Sequence, residues 1–117
     1  MDVKTLRLSH LSLGVSELET SERFYRDVLG LPVRREDGEV FIELPDFLLV
    51  LTESPPAGRS KLHIGFRVDE AADVDFWARR VSERGGEIAS GPANRDDGRA
   101  VYALDPDHYV IEFYWVK

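Results

Sequence analysis

The feature that most constrains this chain is an internal repeat. Shifting the sequence by 53 positions lays His10 on His63, Val15 on Val68 and Ser16 on Asp69. A fixed offset of this kind marks a supersecondary unit used twice, each copy contributing a face that the other helps to bury. In both halves a histidine-bearing apolar stretch leads into a helical pattern and then three short apolar stretches. The predicted order is therefore strand, helix, strand, strand, strand, repeated.

In the first half a strand is expected over residues 6–15, with Leu11, Leu13 and Val15 on one side and His10, Ser12 and Gly14 on the other. Ser16 is a candidate N-cap for a helix reaching about residue 29, with Gly30 as its stop. Strands follow over 31–35, 39–44 and 47–52, divided by the turn pairs Asp37-Gly38 and Pro45-Asp46. A segment holding Pro55-Pro56-Ala57-Gly58 interrupts the pattern. The second half gives a strand over 61–68, a helix capped by Asp69 over about 70–84, and a strand over 87–90. A polar loop over 91–98 and strands over 99–104 and 110–115 complete it. The domain organisation expected is one domain over 1–117 made of two modules, about 5–53 and 61–117, joined by a linker over 54–60.

Bulk properties remove several function classes. There is no cysteine, so disulfides, zinc–cysteine sites and thiol nucleophiles are excluded. The net charge of −7 argues against a nucleic-acid partner. No apolar run approaches the ~20 residues of a membrane span, and no basic, apolar leader opens the chain. The expectation is a cytoplasmic protein.

The chemistry concentrates on three residues. Glu112 lies in the middle of the apolar run Val110-Ile111-Glu112-Phe113-Tyr114. A carboxylate is expensive to desolvate, so on such a strand it is paired, at an edge, or bound to a metal. Alternation puts His10, Ser12, His63, Gly65, Glu112 and Tyr114 on the side of their strands opposite the helices. Two imidazoles and a carboxylate with open positions form the facial triad typical of non-haem iron(II), and the set also suits manganese, nickel or zinc. Tyr102, ten residues before Glu112, is either an acid or substrate anchor in the cleft or a core tyrosine. Arg67 either holds an anionic substrate or covers the sheet with its stem. Glu43 reads as a solvated edge-strand carboxylate and His108 as an exposed turn residue. Laying residues 48–52 on 110–114 places Val50 opposite Glu112.

Several pieces carry a family resemblance. They are Leu8-Ser9-His10-Leu11-Ser12-Leu13-Gly14-Val15, Phe24-Tyr25-Arg26-Asp27-Val28-Leu29-Gly30-Leu31, Leu62-His63-Ile64-Gly65-Phe66, and Tyr102-Ala103-Leu104-Asp105-Pro106-Asp107 leading to Glu112. Together they resemble the vicinal oxygen chelate superfamily of glyoxalase I, extradiol dioxygenases, fosfomycin-resistance enzymes and bleomycin-resistance proteins, over essentially the whole chain. The resemblance implies an α+β fold, with duplicated βαβββ modules forming a U-shaped mixed sheet around a metal site. It implies His10, His63 and Glu112 as ligands of one divalent ion, Fe(II) first, with Mn(II), Ni(II) or Zn(II) as the others. Tyr102 becomes the candidate catalytic residue, and Ser12, Arg67 and Tyr114 the candidate substrate contacts. Glyoxalase I usually adds a fourth carboxylate ligand, and Val50 stands at that place. The extradiol signature has an upstream catalytic histidine, and Ala93, Asn94 and Arg95 stand there. The implied function is a metal-dependent enzyme acting on a small molecule with adjacent oxygens. An extradiol-dioxygenase-like reaction leads, followed by an isomerase or lyase and then a fosfomycin-type transferase. A non-catalytic, drug-sequestering binder is the alternative from another class. A homodimer is the expected assembly.

Overall fold

The computed structural model describes residues 6–57 and 62–117. Its elements are β1 (His10–Val15), α1 (Leu18–Arg23) running on into a π-helical stretch (Phe24–Val28), β2 (Val33–Glu36), β3 (Glu39–Leu44) and β4 (Phe47–Glu53). The second half gives β5 (His63–Arg67), α2 (Ala71–Glu83), β6 (Glu87–Arg95), β7 (Gly98–Leu104) and β8 (Val110–Val116). They build two four-stranded mixed sheets of the same topology, ordered β1-β4-β3-β2 and β5-β8-β7-β6. The first strand of each half runs parallel to the last, and the other neighbours are antiparallel. This is the expected α+β architecture of paired βαβββ units.

Register carries the repeat down to single residues. His10 pairs with Leu48 and Ser12 with Val50 in the first sheet, while His63 pairs with Val110 and Gly65 with Glu112 in the second. Val50 and Glu112 therefore hold equivalent places.

Each helix buries one stripe against its sheet. On α2, Val74, Ala78 and Val81 recur at helical spacing and are buried. Trp77 adds a stack on Phe113, with ring centroids 5.0 Å apart, and Phe113 stacks in turn on Phe66 at 5.6 Å. Around the first helix, Leu18, Phe24, Tyr25 and Leu29 are buried. The halves are fastened together by side chains reaching across. Arg80 Nε donates to the Val28 carbonyl at 2.9 Å, Arg84 Nη1 to the Asp27 carbonyl at 3.1 Å, and the Tyr109 hydroxyl to the Gly14 carbonyl at 2.7 Å. The molecule is nonetheless spread out, at 46 × 42 × 26 Å with a radius of gyration of 14.9 Å. A compact chain of this length would have about 13 Å. Among the described residues no helix is long and apolar enough to cross a membrane.

Several local expectations shift. The first strand starts at His10 rather than residue 6. Ser16 does not cap α1: its hydroxyl donates to Asp107 Oδ1 at 2.5 Å, and Glu17 takes the N-cap place. The competing partner lies 91 residues away, which local spacing cannot reveal. On α2 the N-cap is Glu70, not Asp69, with the Glu70 amide bonded to Asp73 Oδ2 at 3.0 Å. Glu43 is exposed as expected, but on an interior strand, where it pairs with Arg34 at 2.7 Å. His108 sits in the left-handed region at φ 66°, in the turn where it was expected. The largest change is β6. It does not end at residue 90 but continues through register shifts between Ile88 and Ser90 and between Ser90 and Ala93, ending at Arg95. The expected loop over 91–98 shrinks to the Asp96-Asp97 turn. Part of the expected 54–60 linker lies outside the described residues, as do Lys61 and residue 5.

Candidate metal centre

β8 delivers Glu112 to the middle of the second sheet, where the residue is 7% exposed. A carboxylate so far from water needs partners, and three side chains surround it. From the edge strand β5, His63 brings Nε2 to 3.3 Å from Oε1. From β7, directly across the ladder, the Tyr102 hydroxyl donates to Oε2 at 3.2 Å. From the end of β6, Arg95 Nη1 lies 3.2 Å from the same Oε2 and donates to the Tyr102 oxygen at 3.3 Å.

The floor of this cluster is open because position 65 is glycine. A Cβ there would stand 3.8 Å from Glu112 Oε1 and 3.3 Å from the edge of the Tyr114 ring. Tyr114 flanks the site in this way, and Arg67, its register partner on β5, is exposed beside it. His63 and Arg67 also line a cleft of about 500 Å³ with Leu8, Leu11, Phe47 and Ile64. The electrostatics of Tyr102 follow from this setting. Its hydroxyl is held above the usual phenol range, first by desolvation and then by the Glu112 carboxylate, with Arg95 pulling the other way.

The first sheet carries the remaining candidates. His10 and Ser12 are exposed on β1, and His10 Nδ1 lies 3.1 Å from Ser9 Oγ. The structure brings His63, Glu112, Tyr102 and Tyr114 together in the second sheet, while His10 and Ser12 lie on β1 of the first. Among the described residues, no three His, Asp or Glu side chains converge on one point in a single chain. Two donors do fit a divalent ion. A nitrogen and an oxygen 3.3 Å apart suit two ligands each about 2.0–2.2 Å from a shared ion, and the nitrogen–carboxylate pair suits iron, manganese, nickel or zinc.

Sequence reasoning missed Arg95, because residues 91–98 read as a polar loop with no fixed direction. The signal that could have found it is the Asp96-Asp97-Gly98 turn, which marks 90–95 as a strand antiparallel to 98–104.

The family model for the Glyoxalase/Bleomycin resistance protein/Dioxygenase superfamily matches residues 7–113. Lactoylglutathione lyase of Salmonella typhimurium is 31% identical, over 96% of this chain and 94% of its own length. The glutathione transferase FosA of Serratia marcescens is 28% identical, over 92% of this chain and 79% of its own. Among solved structures, a glyoxalase/bleomycin resistance protein/dioxygenase from Nocardioides superposes with a TM-score of 0.82 at 24% identity. It covers 98% of this chain and 86% of that one, a likeness of fold.

Proposed function

We propose, from the premise that the chain belongs to the glyoxalase/bleomycin resistance protein/dioxygenase superfamily, that it is a divalent-metal enzyme acting on a small molecule with adjacent oxygens. The carrying observation is the His63–Glu112 pair, 3.3 Å apart on the floor kept open by Gly65. His10, the third proposed ligand, would come from a second copy of the chain. Two findings support that assembly: one chain does not gather three ligands among its described residues, and its two sheets are spread wider than a compact chain of this length. A divalent ion held there would supply Lewis-acid polarisation of a substrate oxygen.

The chain's own groups define the rest of the work. Tyr102, a neutral phenol fixed by Glu112 and Arg95, is the candidate hydrogen-bond donor to the reacting oxygen. Arg67 and Tyr114 form the candidate wall for the substrate body, with Ser12 facing it from the other copy. Arg95 occupies the region where an extradiol enzyme would place its acid–base histidine. A guanidinium stays charged across the working pH range and cannot shuttle a proton. Val50 occupies the place of a fourth, carboxylate ligand. These two residues favour a transferase, isomerase or lyase on a three-ligand ion over ring cleavage or a four-ligand lactoylglutathione lyase. A chain without cysteine suits a reducing, cytoplasmic setting.

The test is complementation. His10→Ala and Glu112→Ala chains are purified separately and mixed after mild unfolding, and metal content is read by elemental analysis. Each variant alone should hold little metal, and an equimolar mixture should recover about one site per heterodimer, roughly one per four chains when the chains pair at random. Full occupancy in either variant alone would end the proposal. An iron(II)-dependent yellow ring-fission product from a catechol would move the reaction back to the dioxygenase class.

A further inference from the structure

We infer that Arg95 is a positioning residue: it dictates which oxygen of Glu112 is offered to a divalent cation and lowers the affinity with which that cation is held. The inference rests on the proposed role of Glu112 as a ligand.

The two carboxylate oxygens live in different surroundings. Oε2 is taken by two donors, the Tyr102 hydroxyl and Arg95 Nη1, both at 3.2 Å. Oε1 faces His63 Nε2 at 3.3 Å and the open space above Gly65. Arg95 therefore turns a symmetric carboxylate into a one-oxygen ligand. It is itself held by the Tyr102 oxygen at 3.3 Å and by Asp97 Oδ1 at 4.0 Å, across the hairpin that joins β6 to β7. Because the guanidinium has five donors and no acceptor, it cannot coordinate an ion itself. Its effect on a bound cation is purely electrostatic and orientational.

Those two effects oppose each other. Orientation of a ligand by a neighbouring group commonly favours metal binding by 10–100-fold, so losing it weakens the site. A permanent positive charge touching the ligand carboxylate repels a dication and draws charge out of the ligand, so losing it strengthens the site. In a half-buried setting a unit charge acting on a dication outweighs one hydrogen bond. The charge also gives the buried Glu112 a permanent cationic partner at 3.2 Å.

The experiment compares wild type, Arg95→Gln and Arg95→Lys, each stripped by chelation and titrated with manganese(II) and zinc(II) by calorimetry. Glutamine keeps a donor toward Oε2 and removes the charge; lysine keeps the charge and loses the fork. Arg95→Gln should bind both ions at least about tenfold more tightly, and Arg95→Lys should stay within about threefold of wild type. In chelator, Arg95→Gln should melt below wild type, and added metal should close that gap. General damage to the fold loosens a metal site, so tightening is a readout that mere structural support would not produce. Unchanged or weaker binding by Arg95→Gln while wild type holds metal would overturn the role of Arg95 alone. A wild type that takes up neither ion would instead remove the ligand reading of Glu112, and this inference with it.

Discussion

The Tyr25 hydroxyl donates to Asp105 Oδ2 at 2.8 Å, joining the first helix to the turn before the last strand across 80 residues. Asp105 is 2% exposed. Its other oxygen accepts the amides of Asp107 and Tyr109, both at 2.9 Å. Tyr109 continues the connection to the Gly14 carbonyl, and the Ala57 amide bonds its hydroxyl at 3.0 Å. A single buried carboxylate thus organises the seam between the halves.

That carboxylate should make stability depend on pH. Burial raises the Asp105 pKa above the ordinary value of 3.8, against the lowering effect of its hydrogen bonds. A raised pKa means that the folded protein binds the proton more tightly than the unfolded chain does. This contribution is complete below the unfolded pKa and is lost as pH rises through the folded one. Asp105→Asn keeps an acceptor for the two amides and carries no charge. Its melting temperature should therefore vary less than that of wild type between about pH 4 and 7. Asp105→Ala, which strands one hydroxyl and two amides, should cost about 2–4 kcal/mol. Parallel pH-dependent wild-type and Asp105→Asn melting curves would rule out this source.

Gly98 predicts a position where no side chain is tolerated. A Cβ there would overlap the Trp115 carbonyl oxygen, a backbone atom that cannot swing away. The overlap comes from the close β7–β8 approach, where Gly98 pairs with Val116. Gly98→Ala should destabilise the fold by about 3 kcal/mol or more, measured by urea denaturation. Gly38, with open space around it, is the contrast. Its cost should come only from φ of +78° and stay near 1 kcal/mol.

Gly65 gives a prediction about the site rather than the fold. Gly65→Val adds branches toward the Tyr114 ring edge, 3.3 Å from the Cβ position, and toward Glu112 Oε1 at 3.8 Å. β5 is an edge strand with room to adjust. The melting temperature should fall by only a few degrees, consistent with about 1 kcal/mol, while metal affinity should fall at least about tenfold. Equal metal affinity in calorimetry would show that Oε1 is not the coordinating oxygen.

How far the sequence spoke depends on the range of each signal. Period-two alternation in 10–15 and 63–67, with the 53-residue offset, revealed the equivalence of His10 with His63, and laying 48–52 on 110–114 revealed that of Val50 with Glu112. The Ser16–Asp107 and Tyr25–Asp105 bonds span 91 and 80 residues and left no local trace. Arg95 was hidden for a different reason. The register shifts in β6 break the alternation that would have marked it as a strand facing the site. The placement of His10 relative to His63 and Glu112 is also invisible to the repeat, which fixes equivalence between modules and not which modules meet.

That equivalence leads to the last expectation. Val50 pairs with Ser12 as Glu112 pairs with Gly65, and it is 7% exposed, as Glu112 is. Val50→Glu places a second carboxylate at the matching depth of the first sheet, beside Ser12 and Phe41, where the guanidinium over the Phe41 ring, that of Arg34, is already paired with Glu36 and Glu43. In chelator the variant should lose about 2–4 kcal/mol, the penalty for an unpaired buried charge after partial relaxation. If a second copy brings this strand face to His63 and Glu112, a divalent ion would gain a fourth ligand, and nickel(II) or zinc(II) should raise the melting temperature of the variant more than that of wild type. The measurement is a pair of thermal melts, with and without metal. A variant that is destabilised and unresponsive to every ion would place Val50 away from the metal and argue against assembly of the site between two chains.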